Sequence, residues 1–329
     1  MENVIPVRAL PEVPEVVRGL IETYLRSKTL GASRNIREIN DLFCAIANQW
    51  PGQSSAELAR AVLETGEYFA ATRGANTPAI GNAIRLVLKD LDKLAGSSLE
   101  AVRAAISQRR DEFNAQSLRN AELMAEYGAN VLEHAQVVLP FDYSSTVQVI
   151  LKRAAEKGNH LRLIVPESRV IDGGRPIANE ATAWGHSVDF VLDMAFAYHL
   201  RIVDAVLIGA ETIFADGDTW NTIGSYPLAE LCQIYHVPYY VATELIKIDP
   251  RSFAGIRRPL KWRDCAKVLG HPDRFANPEK VSVANPDMDN VPGRLITGYI
   301  TPKGVLLPQQ IPSECMAYLA SIGVSPLEP

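Results

Sequence analysis

The 329-residue chain carries 38 acidic against 33 basic side chains, a formal net charge of -5, with 47% hydrophobic and 22% charged residues. This balance excludes an intrinsically disordered chain, and it argues against a general nucleic-acid surface, which needs a basic excess. A chain this long exceeds most single cores, so two lobes are expected. Cys44, Cys232, Cys265 and Cys315 form no C-x-x-C pair, so they read as reduced thiols, mostly in the core. The opening MENVIPVRALPEVPEVVRGL has no basic start followed by an apolar run, and no stretch approaches about 18 apolar residues. A cytoplasmic protein without membrane contact is expected.

From Glu15 to about Tyr127 apolar residues recur at three- and four-residue spacings, as in ELARAVLETGEYFAATRG and PAIGNAIRLVLKDLDKLAG, and predict helices. Ser97 or Ser98 can cap the third of them, with Glu100 in its first turn. After about residue 130 short aliphatic runs alternate with helical stretches. Strands are predicted over 161–168, 187–193, 203–211, 238–244 and 294–301, and residues 136–145, within QVVLPFDYSST, are read as a loop. Apolar strands separated by helices require a parallel sheet covered on both faces. The fold class is therefore α/β: an N-terminal all-helical domain over 1–128, then a Rossmann-like, doubly wound parallel-sheet domain over 129–329. No G-x-G-x-x-G follows the first strand, so neither dinucleotide binding nor any other cofactor or metal is expected.

Ligands of such sheets sit outside the carboxyl ends of the strands. Glu167, Asp193, Glu211 and Glu244 each fall at or just past a predicted strand end, so they should share one rim. His134 is placed at the end of an apolar run, and Asp142 and Tyr143 in the following loop. TRGAN reads as a break before a helix, in which Gly74 permits close backbone approach and Arg73 offers a planar fork to a phosphate. DGDTWNTIGS reads as a turn, then a helix whose start at Gly224 and Ser225 is a possible anion site, and NPDMDNVP as a rigid turn.

Several of these pieces, in order, resemble the initiation factor 2B alpha/beta/delta superfamily, which includes methylthioribose-1-phosphate isomerase and ribose-1,5-bisphosphate isomerase. RGANTPAIGNA (73–83) is similar to R-G-A-P-A-I-G, VLEHA (131–135) to I-L-T-H-C, and PESR (166–169) to E-T-R. GAETIFADGDTWNTIGSYPLA (209–229) is similar to G-A-D-R-I-x-x-N-G-D-x-x-N-K-I-G-T-x-x-L-A, and NPDMDNVP (285–292) and LITGYITPKGVLLP (295–308) continue the series. The resemblance covers roughly residues 70–310. It implies a dimer, and a ligand that is a phosphorylated sugar or nucleotide. It also implies a ligand- or phosphate-contacting set of Arg73, Gly74, Ala75, Arg169, Asn221, Thr222 and Asp216, with Asp289 anchoring the last strand.

In those isomerases the cysteine of I-L-T-H-C and the aspartate of G-A-D carry the chemistry. Matched as above, the cysteine becomes Ala135, which cannot transfer protons, and the aspartate becomes Glu211, whose carboxylate sits about one bond further out. Asp216 replaces asparagine and Thr222 replaces lysine, an unfavourable change of about two charge units for a phosphate ligand. Three readings follow. The first is a pocket that binds a sugar phosphate or nucleotide without the family's usual isomerisation. The second is an isomerase with altered groups, using Glu211 with His134 or Asp142 on an aldose 1-phosphate. The third is an interaction protein with a vestigial pocket. The missing cysteine and lysine favour the first.

Overall fold

Helical spacing in the first part of the chain becomes α1 (Glu15–Arg26), α2 (Ala32–Asn48), α3 (Ser55–Asn76), α4 (Pro78–Leu88) and α5 (Leu99–Val131). The computed structural model describes residues 9–26 and 32–325, so the first eight residues of the opening segment lie outside it. Contacts divide the chain into two units. The first holds the chain up to Arg119, Ile246–Pro250 and the stretch from Met316 onward, and the second holds Asn120–Leu245 and Arg251–Cys315. A single cut at 128/129 does not describe this division, because both units are discontinuous in sequence.

In the first unit Ile39, Phe43, Leu58, Val62, Phe69 and Leu91 are fully buried in one core. Ser98 is the residue that caps α5, its Oγ accepting the Ala101 N–H at 3.1 Å. The segment 246–250 belongs here for a definite reason: the buried Asn82 amide donates to the carbonyls of Ile246 and Ile248, each at 2.8 Å. TRGAN is not a break. Residues 73–76 complete α3, and the chain turns at Thr77, with Pro78 opening α4. Gly74 is needed where α3 meets α4, since a methyl there would lie 2.9 Å from the Gly81 backbone.

In the second unit the order is β1 (Val137–Phe141), α6 (Ser145–Glu156), β2 (Arg162–Pro166), α7 (Gly174–Ala183), β3 (Ser187–Val191), α8 (Phe196–His199) and β4 (Ala205–Ile208). Then come β5 (Thr212–Ile213), β6 (Thr219–Thr222), α9 (Ser225–Tyr235), β7 (Tyr239–Ala242), β8 (Trp262–Asp264) and α10 (Ala266–Leu269). The last elements are β9 (Ala284–Pro286), β10 (Met288–Val291), β11 (Gly298–Thr301), β12 (Gly304–Leu306) and α11 (Ile311–Ser321), which crosses into the first unit at Met316. The five predicted strands are β2, β3, β4, β7 and β11, each shorter at its ends than predicted.

The main sheet runs β12-β11-β7-β4-β1-β2-β3, parallel except for the β11–β12 hairpin. Its interior strand β1, between β4 and β2, is the one read as a loop. Pro140 misleads there, because a proline cannot donate to a ladder and argues against a central strand. It is accommodated because registered β1–β2 pairs stop at Val138, while β1 stays in register with β4 from Val138 through Phe141. NPDMDNVP is likewise not a plain turn: it supplies β9 and β10, and β10 pairs with β6. Right-handed crossovers from β1 to β2 to β3 run one way and those from β4 onward the other, which puts helices on both faces. The order reverses between β1 and β4. That is the topological switch point, where open α/β sheets hold their ligands. All four cysteines are buried, and among the described residues no helix is long and apolar enough to cross a membrane.

Candidate functional site

Asp142 is the first residue past β1, at the switch point. It holds a left-handed backbone (φ 67°), a conformation that aspartate tolerates better than most residues, and it is only 5% exposed. The Thr222 hydroxyl donates to its Oδ2, while its Oδ1 is buried without a partner. Burial pushes its carboxyl above the usual range. The bonds from Thr222 and the Tyr143 N–H oppose this shift without cancelling it, and nearby Asp193 adds to it. A buried carboxyl whose pKa is raised, with one oxygen lacking a side-chain partner, is suited to proton transfer.

The loop after β2 closes one side. Asp193, just past β3, accepts the backbone N–H of Ser168 at 2.7 Å and of Arg169 at 2.9 Å. This clamp fixes Ser168 in a left-handed conformation (φ 48°) with its Oγ buried and unpartnered. Gly173 then brings the loop back against Asp142. A methyl on Gly173 would lie 2.1 Å from Asp142 Oδ1, and one on Gly174 would lie 2.0 Å from the Pro166 carbonyl oxygen. Arg169 is exposed, with its guanidinium 3.8 Å from Glu167. Asp172, three residues further on, pairs with Arg175 at 2.9 Å.

The loop after β4 closes the other side. A methyl on Gly209 would lie 2.7 Å from Oγ of Ser144, the residue that caps α6. Half-buried Glu211 follows, its N–H donating to the Trp220 carbonyl at 2.8 Å. Because β5 pairs with β6, the strand that backs Glu211 also carries Asn221 and Thr222. Both are buried. The Asn221 amide donates to Ser225 Oγ at 2.9 Å, which donates in turn to the Thr222 carbonyl at 2.7 Å. Glu167, Asp193, Glu211 and Glu244 therefore do share the carboxyl rim, past β2, β3, β4 and β7.

Three expectations need correction. His134 is not at a strand end: VLEHA is the last turn of α5 and the turn after it, and His134 is exposed there on the amino side of β1. The five residues of β1 span about 16 Å, so His134 and Ala135 stand at the opposite rim from Asp142. The residue directly past β1 is Asp142, so it, and not Ala135, stands at the carboxyl end of that strand. The α9 start is not an open anion site either. Asp289 Oδ2 accepts the N–H groups of Gly224 (2.6 Å) and Tyr226 (3.1 Å), while burial raises that carboxyl's own pKa. Asp289→Ala should therefore destabilise the chain by about 1–2 kcal/mol, read as a lowered urea midpoint. Lastly, Asp216 is not an unpaired charge, because it shares Arg257 with Asp218, one cation between two carboxylates.

Arg257 and Arg258 went unnoticed in the sequence. Arg257 stacks over Phe214 with 4.3 Å to the ring centroid. Arg258 lies 4.9 Å from that of Trp220 and donates to the Thr212 hydroxyl at 2.9 Å. The doublet in GIRRP, two cations in a loop with glycine and proline, is the signal that could have found them. Arg73, Gly74 and Ala75 are residues of the first unit, in the last turn of α3.

A ribose 1,5-bisphosphate isomerase from Haloferax volcanii is 30% identical over 230 residues, 70% of this chain and 70% of that protein. A methylthioribose-1-phosphate isomerase from Thermotoga neapolitana is 34% identical over 218 residues, 65% and 63% of the two chains. Among solved structures, 5-methylthioribose 1-phosphate isomerase from Pyrococcus horikoshii superposes with a TM-score of 0.74 at 25% identity, covering 92% of this chain and 87% of that one. A translation initiation factor eIF-2B from the same organism gives 0.70 at 24% identity, covering 91% and 99%, a likeness of fold. The profile of the initiation factor 2 subunit family matches residues 29–308, so with its switch-point site and its isomerase relatives the chain belongs to that family.

Proposed function

We propose that the chain is an aldose-to-ketose isomerase acting on a pentose 1-phosphate, with Asp142 and Glu211 as the proton-transferring pair. The buried Asp142 carboxyl at the switch point, its pKa raised by burial, carries this reading. The case for an inert pocket rested on Ala135, which stands on the far rim. In the reaction, neutral Asp142 protonates the ring oxygen as its bond to C1 breaks, and the Glu211 carboxylate removes the C2 proton, leaving a C1–C2 enol phosphate. Transfer of the O2 proton to Asp142, with delivery of the proton taken from C2 by Glu211 to C1, gives the ketose 1-phosphate and restores both groups. Their different surroundings suit them to opposite roles. Incubation with ribose 1,5-bisphosphate or methylthioribose 1-phosphate should yield ketose, and Glu211→Gln should lower the rate about 100-fold or more.

A second reading is favoured by Thr222, which stands where the isomerases carry a lysine and whose hydroxyl is engaged by Asp142. With that cation gone, the pocket would hold the ligand without turnover. Thermal stabilisation by the same two compounds with no ketose formed would support it over the first.

The chain is also proposed to be a homodimer through the second unit. Phe190, Leu192, Met194, Tyr198 and Ile202 are exposed around the edge strand β3, an apolar grouping of the kind that marks an interface. Light scattering should give twice the mass of 36.1 kDa. The double substitution Met194→Asp, Tyr198→Asp should return it to the monomer value, and an unchanged mass would remove the proposal.

A further inference from the structure

Two polar atoms in the second unit are buried without partners on either side of one glycine. Oδ1 of Asp142 lies where a methyl on Gly173 would approach to 2.1 Å, and the Gly173 N–H donates to the carbonyl of Ser168 at 3.3 Å. Ser168 is 2% exposed and Asp142 5%, and neither Ser168 Oγ nor Asp142 Oδ1 has a hydrogen-bonding partner. Both residues hold left-handed backbones, as does Asp172 in the same loop, so three of the five non-glycine positive-φ residues among those described surround this point. Such strain persists only where the surroundings enforce it, and it gathers at ligand sites. Here the enforcing group is Asp193, which accepts the N–H groups of both Ser168 and Arg169.

A buried hydroxyl left unpaired costs about 1–3 kcal/mol, so its retention calls for a partner that arrives with the ligand. A carboxyl oxygen and a hydroxyl flanking one glycine complement hydroxyl groups, which both donate and accept. They do not complement a methylthio group or the apolar face of a base. We infer that Ser168 is a specificity-determining residue that, together with the open oxygen of Asp142, reads two hydroxyls of one pentose, with Asp193 as the residue that positions it. The inference rests on the sugar-phosphate reading above and narrows it to ligands with an intact ribose diol, setting aside nucleotides recognised through their bases.

The test is calorimetric titration of the full chain with ribose 1-phosphate and its 2-deoxy and 3-deoxy counterparts, for the wild type, Ser168→Ala and Ser168→Gly. Glycine is well suited to the left-handed backbone at 168, so that variant keeps the fold while removing the hydroxyl. The wild type should bind ribose 1-phosphate about 10-fold more tightly than one of the deoxy sugars, a difference set by leaving a buried polar group unpaired. Both variants should weaken ribose 1-phosphate about 10-fold and leave that deoxy sugar unchanged, because the lost contact is then the same one. An equal loss for all three sugars, or no loss for any, overturns the role of Ser168 while the sugar-phosphate reading stands. No binding of any of the three to the wild type overturns both.

Discussion

Asp142→Asn is expected to lower isomerase turnover by about 100-fold or more while making the protein more stable at neutral pH. Asparagine keeps the shape, accepts the left-handed backbone and can still bond Thr222, but it cannot carry the proton. The stability gain follows from burial, which raises the folded-state pKa of Asp142 above the value of about 3.9 in an unfolded chain. Below that unfolded value both states hold the proton and the two proteins should be nearly equal. As the pH rises through the folded-state value, the unfolded chain has released a proton that the native state must hold or replace by a buried charge. The wild type therefore loses this contribution and the variant does not. Melting temperatures at pH 4 and pH 7.5 check the sign: the variant should gain about 2 °C or more at pH 7.5 and little at pH 4. A larger gain at pH 4, or full activity in the variant, would remove Asp142 from the centre of the mechanism.

Gly174→Ala should be among the most damaging single-methyl changes in the second unit, at about 3 kcal/mol. The added carbon would meet the Pro166 carbonyl oxygen at 2.0 Å, a backbone atom that can give way only by moving the end of β2. Gly173→Ala meets Asp142 Oδ1 at 2.1 Å first and the Tyr143 backbone nitrogen at 2.8 Å, and should displace the carboxyl. Its signature is a larger loss of ligand affinity than of stability. Gly96→Ala is the control, with nothing within 4 Å of the new methyl. Urea midpoints for the three proteins should rank Gly174→Ala lowest and Gly96→Ala near wild type.

The architecture was readable wherever apolar period and length agreed. β2, β4 and β7 are short apolar runs between helices, of the kind a covered parallel sheet requires. β1 was missed because one proline outweighed four apolar neighbours, and the decisive fact, which side of the strand loses its ladder, exists only in register. That one error put His134 and Ala135 at the wrong end of β1, since the turn after VLE lies on its amino side and Asp142 follows VVLPF. Glu211 was legible because its strand was. The partnerships of Asp216 with Arg257, of Asp142 with Thr222 and of Asp289 with the α9 N–H groups were not, because each joins residues more than 35 positions apart. No local pattern encodes such pairs.

Asn82, binding the carbonyls of Ile246 and Ile248, gives the chain an inheritance constraint. The helical unit recruits a five-residue detour from the middle of the other unit's sequence and a closing stretch from the end of the chain. Neither unit exists as one uninterrupted stretch of gene. A recombination event or an expression boundary placed near residue 128 would leave Asn82 with a buried amide and nothing to bind, so the two units are expected to travel through evolution together, whatever chemistry either one hosts.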